Sequence, residues 1–92
     1  MSILVRFTPV SMTAEQYDSV SDQLEEKGVW PPDGLDYHVC FGEEGNLKVS
    51  EIWDSQEQFE AFGEQLMPVL QEHEAEFSGP PEIIPIHKVE KR

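Results

Sequence analysis

Apolar residues recur at helical spacing only twice in this chain, and each time a capping box opens the run. The first box is Thr13-Ala-Glu-Gln16, with Met12 placed ahead of the cap to staple onto Tyr17. Tyr17, Val20 and Leu24 then repeat at helical intervals until Gly28 stops the run. The second box opens at Asp54 or Ser55, with Glu57 or Gln58 as its reciprocal partner. Phe59, Phe62, Leu66, Val69, Leu70 and His73 follow as one stripe, and Pro68 inside it is expected to bend the helix. Two helices have only two apolar stripes to offer, which limits what can be packed beneath them.

The segments around the helices alternate with period two. Ile3, Val5 and Phe7 alternate with Leu4, Arg6 and Thr8 before Pro9, which reads as a first strand. Leu35, Tyr37, Val39 and Phe41 fall on one side of a second strand, with Asp36, His38 and Cys40 on the other. The stretch from Gly42 to Asn46 is a hairpin loop, Leu47 to Trp53 its return strand, and Ile83 to Val89 the last strand. The order is βαββαβ over a single domain, residues 1–92. It resembles the split βαβ pattern of ferredoxin-like α+β folds: a four-stranded antiparallel sheet with both helices on one face. The other face then carries Leu4, Ile52, Ile84 and Ile86, with no element left to cover it. An apolar sheet face of that size is rarely left in water, and a second copy covers it most economically. A homodimer is expected.

Composition narrows the partners. Nineteen acidic residues against six Lys and Arg give a formal charge of −13, which disfavours nucleic acid and anionic membranes. The acidic residues are spread over the helices rather than gathered in a tail, so they read as a solubilising surface. No apolar run is long enough to span a membrane, and MSILVRFTPV does not read as a secretory leader. The lone Cys40 fits a reducing cytoplasm.

The junction Ile52-Trp53-Asp-Ser-Gln-Glu-Gln-Phe59-Glu-Ala-Phe62 resembles the strand-to-helix junction of the dimeric α+β barrel superfamily, which includes antibiotic-biosynthesis-type and haem-degrading monooxygenases. The likeness is nearest to the small uncharacterised bacterial members. It implies a dimeric barrel and a small-molecule cavity between sheet and helices. Haem-degrading members use an Asn on the first strand, a Trp early in the second helix and a His about three turns later. Here those places hold Arg6 or Phe7, Phe62, and Glu72 beside His73. The resemblance therefore carries no haem chemistry and implies no cofactor.

Among candidate site residues, His38 is either a general base and polar anchor in the cavity or a histidine satisfied by a structural partner. Arg6 is placed to stabilise an anion beside it. Phe62, His73 and Trp30 are expected to shape the pocket, although His73 also reads as a packed histidine near a helix end. His87 either approaches the cavity or points outward. His38, Cys40, His73 and His87 lack any paired ligand motif, so no metal site is expected. Cys40 reads as a buried small hydrophobe. Glu51 lies on the same strand side as Val49 and Trp53, where it must either pair with Lys48 or Arg6 or mark a bulge. The reading that follows is a small-molecule-binding barrel, as an enzyme one resembling cofactor-independent monooxygenases that act on an aromatic or enolic substrate. The alternative is a non-catalytic dimerisation or stress-associated binding module.

Overall fold

The computed structural model describes residues 2–91. Its elements are β1 (Ile3–Phe7), α1 (Ala14–Glu26), β2 (Leu35–Phe41), β3 (Lys48–Trp53), α2 (Gln56–Glu72) and β4 (Glu82–Pro85). The strands form one antiparallel sheet in the order β2-β3-β1-β4. This is the βαββαβ, ferredoxin-like α+β fold that the sequence pattern predicts.

Both helices start where side chains can satisfy free backbone N–H groups. Thr13 Oγ1 accepts from the Gln16 amide at 3.1 Å. At the second helix the cap is Ser55, not Asp54: its Oγ accepts from the Gln58 amide at 3.2 Å and donates to Gln58 Oε1 at 2.9 Å. Pro68 does not end α2, which runs through it on an exposed face where the unpaired carbonyl can reach water.

Register decides which side chains meet the helices. Ile3 faces Trp53 across the ladder and Val5 faces Glu51, so these four lie on the helix side. They join Val20 and Leu24 of α1 and Phe59, Phe62, Val69 and Leu70 of α2 in the core, except Glu51, the one buried charged side chain among the described residues. Leu4, Arg6, Ser50 and Ile52 point the other way.

Two expectations about strands need correction. The alternation of β2 breaks at its start. Leu35 pairs with Trp53 and Tyr37 with Ile52, leaving Asp36 as an extra residue. This bulge reverses the parity, so Leu35 joins His38 and Cys40 on the helix side while Tyr37, Val39 and Phe41 go to the outer face. The last strand is also shorter than its apolar run: it spans Glu82–Pro85, and Ile86 adds one bond to the Ser2 carbonyl at 3.2 Å. Beyond that the chain leaves β1, and Lys91 reaches Asp36 on β2, at the opposite edge of the sheet, with Nζ 3.0 Å from Oδ2. Val89 is therefore exposed and outside the sheet.

Gly34 closes the loop before β2 at φ +90°, where its carbonyl accepts from the Asp54 amide at 2.8 Å. A Cβ there would sit 2.5 Å from the Gln58 side chain, so this contact between the β2 entrance and the α2 cap needs glycine.

Candidate functional site

Between the sheet and the two helices lies a cavity of about 70 Å3. Its walls are mainly apolar, with Val20, Leu24, Phe62, Leu66 and Leu70 contributing from the helices and Met12 from the loop before α1. Tyr17, Ser21, His38 and Glu51 supply the polar groups. Each is placed by an element already described: Tyr17 and Ser21 by successive turns of α1, His38 by β2 after its bulge, and Glu51 by the centre of β3.

Three of these side chains form one hydrogen-bonded chain. Glu51 Oε2 lies 2.6 Å from His38 Nδ1, and His38 Nε2 lies 2.6 Å from the Tyr17 hydroxyl. The other Glu51 oxygen, Oε1, accepts from the Trp53 indole N–H at 3.0 Å. Glu51 is only 3% exposed, so its charge is affordable solely because two donors hold it. With Glu51 ionised and the imidazole neutral, Nδ1 carries the proton and donates to the carboxylate. Nε2 is then left with a lone pair for the Tyr17 O–H. Trp30 stands edge-on to the imidazole, with ring centroids 5.0 Å apart, and contacts Phe62 at 6.0 Å. It thereby limits how the histidine ring can turn.

Burial pushes the Tyr17 hydroxyl up to about 12, helped by the negative charges of Cys40, Glu51 and Asp18. Burial also raises the Cys40 thiol, with Asp18 adding to the effect, so Cys40 is a poor nucleophile. The Tyr17 shift has a consequence for stability. Between pH 10 and 12 the unfolded chain releases the tyrosine proton while the folded chain keeps it, so stability falls as pH rises through that window. Tyr17 is partly buried, and after allowance for solvent screening the loss is about 1 kcal/mol. Tyr17→Phe is expected to remove that part of the alkaline loss, as read from denaturation midpoints at pH 9.5 and 11.5. An unchanged alkaline slope would contradict the assignment.

The structure brings together His38, Phe62 and Trp30 of the residues singled out in the sequence. It does not bring in Arg6, which is exposed on the outer sheet face opposite Ser50 and Glu82. Strand parity puts Arg6 and Ser50 on the side away from His38, so neither shares its cavity. His73 ties the helices together instead: its Nε2 lies 2.6 Å from Gln23 Oε1, and its carbonyl accepts from Gln16 Nε2 at 3.0 Å. His87 is exposed beyond the end of β4. Two members of the chain, Tyr17 and Glu51, are absent from the sequence-derived set. Glu51 pairs with neither Lys48 nor Arg6; a carboxylate between Val49 and Trp53 on an apolar strand face was the signal for a buried partner. Tyr17 reads from sequence as a core residue, and nothing local announces its hydroxyl's partner 21 residues away. No group of three or more His, Cys, Asp or Glu side chains among the described residues is arranged to hold a metal ion. No helix of the described residues is long and apolar enough to cross a membrane.

No family model matches the sequence, and no curated protein is detectably similar to it. Solved structures do resemble it in fold. One is SnoaB, a cofactor-independent oxygenase from Streptomyces nogalater, at TM-score 0.60 and 16% identity over 96% of this chain and 93% of that one. A point variant of SnoaB aligns equally well at TM-score 0.60 and 18% identity. A candidate antibiotic biosynthesis monooxygenase from Chloroflexus aurantiacus aligns at TM-score 0.55 and 15% identity, over 97% of this chain and 95% of that one. The chain therefore shares the ferredoxin-like fold of these proteins.

Proposed function

We propose that this chain is a small-molecule-binding dimeric α+β barrel that acts as a cofactor-independent, monooxygenase-like enzyme on an aromatic or enolic substrate. The observation that carries the reading is the chain Tyr17–His38–Glu51 at the wall of an otherwise apolar cavity. A buried carboxylate behind an imidazole orients the ring and fixes its tautomer, which leaves Nε2 as the acceptor a general base needs. Tyr17 bridges the imidazole and the cavity. A substrate hydroxyl that passes its proton to Tyr17 drives the tyrosine's own proton onto Nε2. The resulting electron-rich anion is the kind of substrate that reacts with dioxygen directly, and the apolar walls keep competing water away. The shared fold with SnoaB supports this choice over other acid–base chemistries.

The dimer rests on the outer sheet face. Tyr37, Phe41 and Ile84 are 48%, 43% and 37% exposed there, beside Leu4, Val39 and Ile52. Burying even about 500 Å2 of apolar area contributes on the order of 10 kcal/mol before the costs of association. The two-fold pairing uses the same patch twice. A lone thiol at Cys40 fits work in the cytoplasm.

A panel of single-ring quinols and enols with an oxygen electrode tests the enzyme reading. Oxygen uptake that depends on the protein and falls in His38→Ala supports it. Absence of uptake across the panel, with ligands still raising the melting temperature, leaves the non-catalytic binding module.

A further inference from the structure

Resting on the acid–base reading above, we propose that the cavity selects a neutral, single-ring molecule bearing one weakly acidic hydroxyl, a phenol or an enol, and rejects ligands that arrive as anions. The first ground is charge. Glu51 presents a buried carboxylate to the cavity, while no Lys or Arg among the described residues borders it. Arg6, the cation nearest in sequence pattern to the site, is on the far side of the sheet. The chain as a whole carries −13. A ligand anion held roughly 5–6 Å from a carboxylate, at an effective dielectric of about 20, binds on the order of a hundredfold more weakly.

The second ground is proton bookkeeping. A neutral hydroxyl donates to the Tyr17 oxygen, which can accept because its own proton is committed to His38. On ionisation the substrate O–H bond breaks and its electron pair stays on the substrate oxygen. Tyr17 gains that proton and gives its own to His38 Nε2, forming the imidazolium beside Glu51. Ligand and site together carry one negative charge before and after, so the transfer separates charge without adding any to a buried space. An anionic ligand begins with two negative charges and has no proton to give.

The third ground is size. The cavity of about 70 Å3 is smaller than the ~150 Å3 apolar cavity known to take benzene in another protein. One ring needs a wall residue that is only partly buried, such as Trp30, to yield. Two fused rings require the helices themselves to separate at Val20, Leu24, Phe62 and Leu70, which are core residues.

Binding of p-cresol, toluene, benzoate and 2-naphthol to the intact protein at pH 7, by titration calorimetry, tests this. The expected order places p-cresol first, toluene several-fold weaker for want of a hydroxyl bond, and 2-naphthol at least about tenfold weaker. Benzoate is expected about a hundredfold below p-cresol, and Glu51→Gln is expected to close most of that gap. The wild-type comparison needs no variant, so a poorly folded Glu51→Gln protein does not weaken the test. Benzoate binding as tightly as p-cresol overturns the selectivity while leaving the acid–base reading in place. Failure of all four to bind removes that reading and this inference together.

Discussion

His38→Ala is expected to slow proton abstraction from a bound substrate by roughly 10²–10⁴-fold, the usual contribution of a positioned general base. The variant removes the acceptor for the Tyr17 hydroxyl and one of the two donors to Glu51. It will also be less stable, by about 1–3 kcal/mol, because the Glu51 carboxylate stays buried with the Trp53 indole as its sole donor among those seen. His38→Gln separates the two effects. Its amide can still donate to Glu51 but takes no proton from Tyr17, so most of the stability is expected to return while the rate does not. A structural histidine would give the opposite result, with rate recovering alongside stability.

The second large effect concerns the outer face. Ile52 lies between Leu4 and Tyr37 in the ladder, at the middle of the apolar patch. Ile52→Asp places a carboxylate at the centre of the proposed two-fold contact, where its symmetry mate also lies nearby. Desolvating unpaired charges of like sign costs several kcal/mol. Light scattering is expected to give about twice the 10.5 kDa chain mass for the wild type at micromolar concentration, and a single chain mass for the variant. Wild-type protein at one chain mass would remove the dimer and leave the intrasubunit cavity untouched.

Local signals in the sequence account for the elements and not for the site. The caps at Thr13 and Ser55 were legible because the groups that satisfy them lie three residues away. The spans of β1 and β2 followed from alternation bounded by Pro9 and Gly42. The sides of His38 and Cys40 against Tyr37, Val39 and Phe41 were legible from the same alternation, but the side of Leu35 was not, since the bulge at Asp36 is set by pairing with β3. The same dependence on register placed Arg6 beside His38 in the sequence reading and on the opposite face in the fold. Glu51 and Tyr17 lie 13 and 21 residues from His38, and only the sheet and α1 together bring them within hydrogen-bonding distance of its two ring nitrogens. The last strand was overextended because Ile86 and Val89 continue an apolar pattern after Pro85, while among the described residues the pairing with β1 ends at the Ser2 carbonyl.

In the proposed reaction protons leave a cavity-bound hydroxyl for His38 by way of Tyr17. Absorbance of 4-nitrophenol bound to the protein, at a pH where the free phenol is mostly colourless, addresses it most directly. The yellow phenolate band is expected to grow with the bound fraction in the wild type and to be lost in His38→Gln and Tyr17→Phe. Bound nitrophenol that stays colourless in the wild type, or turns equally yellow in all three proteins, would contradict it.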